Sequence, residues 1–259
     1  MQANYHTHTY RCHHAYNCEW EYAAAAAAAG LRILGFSDHA PMPFSNGYCS
    51  KLRMAAGQLK DYIETVEGLR ARYAGRLEIH CGLEAEYYPE VFPALLELLE
   101  EQPGIEYLLL ALHFTDNEYG GAWRVVQPTD SEALLIKYVD QLIAGMETGR
   151  FLYVCHPDVA AFTGPNDVYR RHMKRLCQAA KELHMPLEIN GQGLRSGWHY
   201  PSDRFFSIAG EVGCTAVLGT DAHRAANVCR PEEIARMEEM AERNGLRILE
   251  TLSLKEGKR

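Results

Sequence analysis

Short apolar runs alternate with amphipathic segments along this sequence, and that alternation limits the folds open to the chain. The runs are rich in branched and aromatic side chains, as buried parallel strands are. They lie at residues 4–6, 32–36, 77–84, 107–112, 151–155, 186–189 and 215–218. Strands that alternate with helices form a parallel sheet covered by helices, either closed as a barrel or open and doubly wound.

The segments between the runs predict helices. The clearest helix is predicted at residues 131–148, where apolar side chains recur at helical spacing and form one stripe that would face a sheet. The alanine run at 23–29 predicts a buried helix, because alanine favours helix and its small side chain permits close packing. Gly149 and Gly213 each follow a helical stretch, as glycines that end helices in the left-handed conformation do.

The composition indicates a globular protein without disulfides. With 259 residues, of which 47% are hydrophobic, the chain can bury a full core, and we expect a single domain over residues 1–259. Its eight cysteines are scattered and form no CxxC pair, so neither a disulfide framework nor a thiolate zinc finger is expected. No leader pattern and no apolar stretch of about 18 residues occurs, so we expect a cytoplasmic protein that does not enter a membrane.

The net charge restricts the class of partner. A formal charge of -8 argues against nucleic acid as a partner, because binding to a phosphate backbone needs clustered lysines and arginines. A small phosphorylated substrate remains compatible with this charge, since bound metal ions and one arginine can reverse the potential locally. The sequence does not indicate an oligomeric state.

Metal-binding side chains follow the predicted strands. His6 and His8 are two residues apart at the end of the first strand, so both point to the same face. Taken alone, a pair with this spacing more often consists of two histidines exposed on the surface than of two metal ligands. Similar residues follow the later strands, at Asp38, His39, Glu84, His113, His156, Asp221 and His223. Because active sites of α/β proteins form at the carboxyl ends of parallel strands, we expect these residues to build one metal site.

A loop histidine joins this set, but spacing alone does not decide between His13 and His14. With His14 and without Asp38, the candidate ligands number nine. A tetrahedral zinc takes about four ligands, so the set predicts two or three ions. Imidazole-rich shells suit Zn, Fe or Mn, whereas Ca and Mg prefer oxygen ligands. Glu84 is the first candidate for a carboxylate that bridges two ions, and Asp221 is the second.

The order of these motifs resembles the PHP (polymerase and histidinol phosphatase) family, and within it the histidinol-phosphate phosphatases. The resemblance extends over roughly residues 4–224, and its motifs are specific when they occur in this order. The motifs are HTH at 6–8, CHHA at 12–15, SDH at 37–39, GLEAEYYP at 82–89, ALHF at 111–114, CHPD at 155–158, EINGQGLR at 188–195 and GTDAH at 219–223.

The resemblance implies a distorted (β/α)7 barrel with three divalent transition-metal ions (Zn, Fe or Mn) at the C-terminal ends of the strands. The family pattern also selects His14 over His13. The implied ligands are His6, His8, Glu84 and Asp221 for the first ion, Glu84 with His113 and His156 for the second, and His14, His39 and His223 for the third.

The activity implied by the resemblance is hydrolysis of L-histidinol phosphate to L-histidinol and phosphate, a step of histidine biosynthesis, by a metal-bridging hydroxide. Arg195 looks like the family's phosphate-binding arginine, with a surface ion pair as the alternative. Ser202 would add a hydroxyl to the phosphate, but a helix N-cap is an equal alternative, and His39 would also contact the substrate. The residues expected to serve catalysis are Glu84, Asp221, His223 and Arg195.

Three other functions stay open from the sequence. The first is hydrolysis of another small phosphate ester by the same family, because the GQGLR segment departs from the family pattern at Gln192. The second is a non-catalytic metal store or sensor, which the open coordination positions of three ions argue against. The third is a metal-dependent amidohydrolase, which gives Arg195 no task.

Asp38 and Asn190 are predicted to orient the histidines.

Overall fold

The computed structural model describes residues 1–254, which contain one sheet of eight parallel strands in chain order. The strands are β1 (Ala3–Asn4), β2 (Ile33–His39), β3 (Glu78–Glu86), β4 (Tyr107–Ala111), β5 (Phe151–Val154), β6 (Leu187–Asn190), β7 (Thr215–Gly219) and β8 (Arg247–Ile248). Strands β1 to β7 overlap or directly adjoin the predicted runs, so the predicted parallel α/β architecture is confirmed.

Helices follow the strands and pack against the outside of the sheet. The α-helices of the described chain are α1 (Glu19–Ala28), α2 (Leu59–Tyr73), α3 (Phe92–Glu101), α4 (Glu132–Glu147), α5 (Asn166–Glu182), α6 (Gly191–Ser196), α7 (Asp203–Val212) and α8 (Pro231–Arg243). The predicted helix at 131–148 is α4, and the Ser131 hydroxyl caps its N-terminus by accepting from the amide of Leu134. Gly149 and Gly213 follow α4 and α7 with φ of 66° and 83°, as the sequence predicts.

The sheet curls until its edges meet at the carboxyl end. Beyond β1, Thr7 pairs with Ala222, which lies beyond β7. The His8 amide donates to the carbonyl of Ala222 at 3.0 Å, and the Ala222 amide donates to the carbonyl of His6 at 3.2 Å. At the amino end β8 continues the sheet beyond β7. The predicted seven-stranded barrel is therefore distorted and has an eighth short strand at its edge.

The strand β8 was missed in the sequence although a signal for it exists. The pentapeptide GLRIL occurs at residues 30–34 and again at 245–249. The first copy leads from α1 into β2, and the second leads from α8 into β8. The second copy forms a strand of only two residues, Arg247–Ile248, which is too short to stand out as an apolar run.

A tyrosine from β4 fills the space inside the curled sheet. The Tyr107 hydroxyl donates to the carbonyls of Tyr5 at 2.8 Å and Phe36 at 3.0 Å. Its ring lies where a Cβ atom on Gly35 or Gly82 would be, so these two strands need glycine for the close approach. Tyr107 thereby ties β4 to the residue that precedes His6.

The described residues include no helix that is long and apolar enough to cross a membrane. All eight cysteines lie within them and are free. The last residues of the single domain expected over 1–259, which are 255–259, lie outside the described part of the chain.

The packing of Tyr107 predicts a stability effect. Gly82→Ala should lower the free energy of unfolding by about 1–3 kcal/mol, because the added methyl group must displace the Tyr107 ring. Gly68→Ala is the matched control, since a Cβ at this position in α2 meets nothing within 4 Å, and it should stabilise by up to about 1 kcal/mol. Urea denaturation followed by circular dichroism measures both, and equal stability of the two variants would contradict the packing argument.

Candidate metal centre

The carboxylate of Glu84 lies at the centre of a group of imidazoles. It projects from the carboxyl end of β3 and is 1% exposed. Its Oε1 atom is 2.9 Å from Nε2 of His156 and 3.7 Å from Nε2 of His6. Its Oε2 atom is 2.8 Å from Nδ1 of His39 and 3.5 Å from Nε2 of His8. The two oxygens therefore face different histidines, as the oxygens of a bridging carboxylate do.

Asp221 approaches the same group from the end of β7. Its Oδ1 atom is 3.1 Å from Nε2 of His8, 3.6 Å from Nε2 of His6 and 3.3 Å from Nδ1 of His223. The Nε2 atoms of His6 and His8 are themselves 3.1 Å apart. Two imidazole nitrogens bound to one tetrahedral zinc would be about 3.3 Å apart at the usual bond length, so this pair has the spacing of two ligands of one ion.

The remaining predicted ligands close the group. The ring of His14 stacks on His223 at 4.8 Å and lies 5.3 Å from His39. The ring of His113 lies 5.3 Å from His39 and 4.9 Å from His156. The nine residues predicted from the sequence thus lie together, with His14 at the more exposed side.

His13 stands apart from this group. It is exposed, and it ends the short 3-10 turn Tyr10–Cys12 with φ of 68°. Two further histidines have carboxylate partners outside the group: His80 lies between Glu78 and Glu106, and His172 contacts Glu132.

Unsatisfied polar atoms test whether metal ions fit this group. Within residues 1–254, four buried atoms of the group have no hydrogen-bond partner, although such atoms are normally paired. They are Nδ1 of His39, Oε2 of Glu84, Nδ1 of His156 and Nε2 of His223. Nδ1 of His39 and Oε2 of Glu84 face each other without hydrogen-bond geometry, which is the arrangement that a shared cation would satisfy. The imidazole-rich donor set also suits Zn, Fe or Mn, so the residues fit metal ions.

The electrostatics keep the carboxylates charged. Burial raises the pKa of Glu84, but the histidines His39 and His6 outweigh it and hold this pKa well below its usual value. Burial likewise raises the pKa of Asp221, and His6 and His223 bring it well below its usual value. Burial and the neighbouring His223 lower the pKa of His14 to about 4, so this imidazole is neutral and able to bind metal near pH 7.

Glu188 holds the first histidine and was not predicted as a site residue. Its side chain is fully buried on β6, and its Oε1 atom is 2.7 Å from Nδ1 of His6. Its Oε2 atom accepts from the amide of His156 at 2.9 Å and from the side chain of Asn190 at 2.9 Å. A Cβ atom on Gly219 would overlap Glu188, so β7 has glycine at this point. A glutamate inside the apolar run before Asn190 was the available signal.

Of the two residues predicted to orient histidines, Asp38 contacts one, whereas Asn190 instead contacts the carboxylate of Asp221. Nδ1 of His8 is 3.3 Å from Oδ1 of Asp38. The Asn190 side chain donates to Oδ2 of Asp221 at 3.1 Å. Such carboxylate and amide contacts fix the tautomer and the orientation of a ligand.

Arg195 lies on α6 behind Asp221 and pairs with Glu233 of α8. Its Nη1 atom donates to both carboxylate oxygens of Glu233 at 2.7 Å, and its Nη2 atom makes longer contacts to the carbonyls of Thr220 and Asp221. Glu233 is a partner that the sequence did not indicate. Arg195 thus forms an ion pair, which was the alternative to phosphate binding. The pair is not on the surface, because Glu233 is buried and Arg195 is 15% exposed.

Ser202 has the N-cap geometry that the sequence left open beside a phosphate contact. Its hydroxyl accepts from the Phe205 amide at the start of α7 and donates to Oδ2 of Asp158 at 2.9 Å. The backbone amide of Ser202 donates to the same oxygen at 2.8 Å. These bonds fix the loop that precedes α7.

A cavity of about 320 Å3 opens above the histidine group. Its polar lining includes His8, His14, His39, Glu84, His113, Gln192, Asp221 and His223. Two arginines, Arg53 and Arg124, also line it. A cavity of this size with convergent polar groups is suited to a small ligand.

Comparisons with known proteins agree with this geometry. The PHP domain sequence model matches residues 4–192. The chain is 31% identical over 248 residues to a probable histidinol-phosphatase from Deinococcus radiodurans, with 86% of each chain covered. It is 28% identical over 251 residues to the histidinol-phosphatase of Bacillus subtilis, with 86% of this chain and 94% of the relative covered.

A solved structure shares the fold. The histidinol phosphate phosphatase of Lactococcus lactis, complexed with zinc, L-histidinol and phosphate, superposes with a TM-score of 0.72 and 19% identity, over 97% of this chain and 98% of that one. The fold and site thus define an α/β barrel protein with a histidine-rich metal centre. The chain belongs to the PHP domain family.

The central position of Glu84 predicts the effect of its replacement. Glu84→Gln should remove more than one metal ion per chain, because an amide cannot offer two anionic oxygens to two ions. Glu78→Gln, at the exposed start of the same strand, is the matched control and should keep the metal content of the wild type. Elemental analysis of the purified, folded proteins measures the metal content. Full metal content in Glu84→Gln would show that Glu84 does not bridge two ions.

Proposed function

We propose that this protein is a metal-dependent phosphomonoesterase that hydrolyses L-histidinol phosphate to L-histidinol and phosphate. The observation that carries the proposal is the buried Glu84 carboxylate within contact distance of several imidazoles, beneath a cavity of small-ligand size. Membership of the PHP domain family and the two related histidinol-phosphatases support the choice of substrate.

We assign the metal ligands as the family pattern implies, with three divalent transition ions, Zn, Fe or Mn. The ligands would be His6, His8, His14, His39, Glu84, His113, His156, Asp221 and His223. Bound ions of this type supply an activated water near neutral pH and positive charge for the phosphoryl oxygens. The two ionised carboxylates do not neutralise several divalent ions, so the centre would keep a net positive charge and attract a phosphate dianion.

The residues of the chain have separate tasks in this scheme. Glu84 and Asp221 position the imidazoles and stay ionised, as their lowered pKa values require. His39 and His223 line the cavity and hold the phosphate end of the substrate near the centre. Glu233 holds Nη1 of Arg195, so Arg195 would bind the phosphate through Nη2, in exchange for its long contacts to the carbonyls of Thr220 and Asp221. Ser202 anchors the loop beside it.

A second candidate is hydrolysis of another small phosphate ester at the same site. Arg53 and Arg124 in the cavity wall favour it, because they would attract a second anionic group that histidinol phosphate lacks. Arg53 is paired with Glu86 and Glu118, which reduces this attraction, whereas Arg124 is exposed.

A phosphate-release assay tests the proposed function. The purified, metal-analysed protein should release phosphate from L-histidinol phosphate with a higher kcat/KM than from a panel of other small monoesters. A chelator should abolish the activity, and added Zn or Mn should restore it. A clear preference for a different ester would favour the second candidate, whereas full activity of metal-stripped protein would contradict the metal-dependent scheme.

The role of Arg195 is tested in the same assay. Arg195→Ala should lower kcat/KM about tenfold to a hundredfold, since a hydrogen bond to a charged group is worth about 1.5–3 kcal/mol. Glu233→Gln keeps the guanidinium and should lower it less. Unchanged efficiency of Arg195→Ala, with wild-type metal content, would show that another group binds the phosphate.

A further inference from the structure

The cavity above the histidine group has an apolar part that the metal ligands do not explain. It is formed by Leu52, Phe114, Val126, Val159, Trp198 and Tyr200. A phosphate dianion would bind at the histidine group, and apolar side chains offer it no favourable interaction. This part of the cavity therefore faces the organic half of a phosphate ester.

Trp198 is the most exposed aromatic side chain of this wall. Half of its surface is open to solvent, whereas Tyr200 beside it is 4% exposed. The rings of Trp198 and Tyr200 are 5.6 Å apart, and the ring of Tyr200 is 6.1 Å from that of His156. The three rings lead from the histidine group outward, so Trp198 lies one ring further from the metal ligands than Tyr200.

The loop that carries Trp198 is held in place on both sides. The Trp198 amide donates to the carbonyl of Gly193 at 3.0 Å. His199 contacts the carbonyl of Val159 through Nε2 at 2.9 Å. Asp158 accepts from the amide and the hydroxyl of Ser202. A large apolar ring on an anchored loop loses little further conformational freedom when a ligand packs on it, which favours binding.

We infer that Trp198 determines leaving-group specificity by packing on a flat ring, so that the site selects phosphate esters whose alcohol carries an aromatic ring on a short aliphatic chain. The inference rests on the proposed function and deepens it. An indole face also attracts a cationic ring, and the imidazole of histidinol is partly protonated near neutral pH. Ring stacking and this attraction together recognise the half of the substrate that the metal centre does not touch.

The chain offers a matched control for this inference. Trp20 is also half-exposed, but it lies on α1 and does not line the cavity. Trp20→Ala removes the same side chain at no cost to the proposed contact. Trp198→Phe keeps a ring at the proposed position and should restore most of the binding that Trp198→Ala loses.

Steady-state kinetics of the metal-loaded enzyme test the inference with three esters. L-Histidinol phosphate and 3-phenylpropyl phosphate carry an aromatic ring on a short aliphatic chain, and phosphoethanolamine carries an amine without a ring. Trp198→Ala should raise KM for histidinol phosphate about threefold to tenfold with nearly constant kcat, because an aromatic contact contributes equally in ground and transition states. Trp198→Ala should also raise KM for 3-phenylpropyl phosphate and leave KM for phosphoethanolamine unchanged. Trp20→Ala should match the wild type on all three esters.

The outcomes separate this inference from the proposed function. Equal losses on all three esters, or no loss on the two ring esters, would overturn the role of Trp198 while the proposed function stands. A wild type that hydrolyses 3-phenylpropyl phosphate but not histidinol phosphate would overturn the proposed function. The effect of Trp198→Ala on the ratio of kcat/KM for 3-phenylpropyl phosphate to kcat/KM for phosphoethanolamine then still decides the role of Trp198. A wild type inactive on all three esters would overturn both.

Discussion

The buried carboxylate of Glu84 is the constraint on which the rest of this site depends. A charged group with 1% exposure is stable only if cations or strong donors surround it. Imidazoles meet this need from several strands at once, since His156 and His39 lie within 3 Å of its two oxygens. The parallel sheet makes this possible because it brings the carboxyl ends of its strands to one edge. Metal ions between these groups would complete the neutralisation.

The barrel interior supports that edge by a chain of contacts. Tyr107 fixes the backbone of Tyr5, the residue before His6, and Glu188 fixes the ring of His6 itself. Both contacts require a glycine on a neighbouring strand. A Cβ atom on Gly82 would overlap the ring of Tyr107, and one on Gly219 would overlap the side chain of Glu188. The ligand positions are therefore set by packing below the centre as well as by the ligands, as precise metal sites require.

The sequence could predict the parts of this structure that repeat. Strand, helix and terminal histidine or carboxylate recur along the chain, so the parallel sheet and the gathering of eight of the nine candidate ligands could be predicted from local patterns. The ninth, His14, was selected over His13 only by the family resemblance. Contacts between residues that are far apart in the chain produce no repeating pattern in the sequence. The partner of Arg195 is Glu233 on a later helix, and the one local sign of Glu188 is a charged residue inside an apolar run, which does not identify His6 as its partner. The strand β8 is too short for an apolar run, and only the repeated GLRIL segment marks it.

The central proposal is that Glu84 is shared by two metal ions within a group of three. Anomalous diffraction from crystals of the metal-loaded protein, collected on both sides of the metal absorption edge, locates each ion directly. The account predicts three anomalous peaks among the histidines, with each oxygen of Glu84 bound to a different ion. A single peak, or a Glu84 carboxylate that contacts none of the ions, would contradict it.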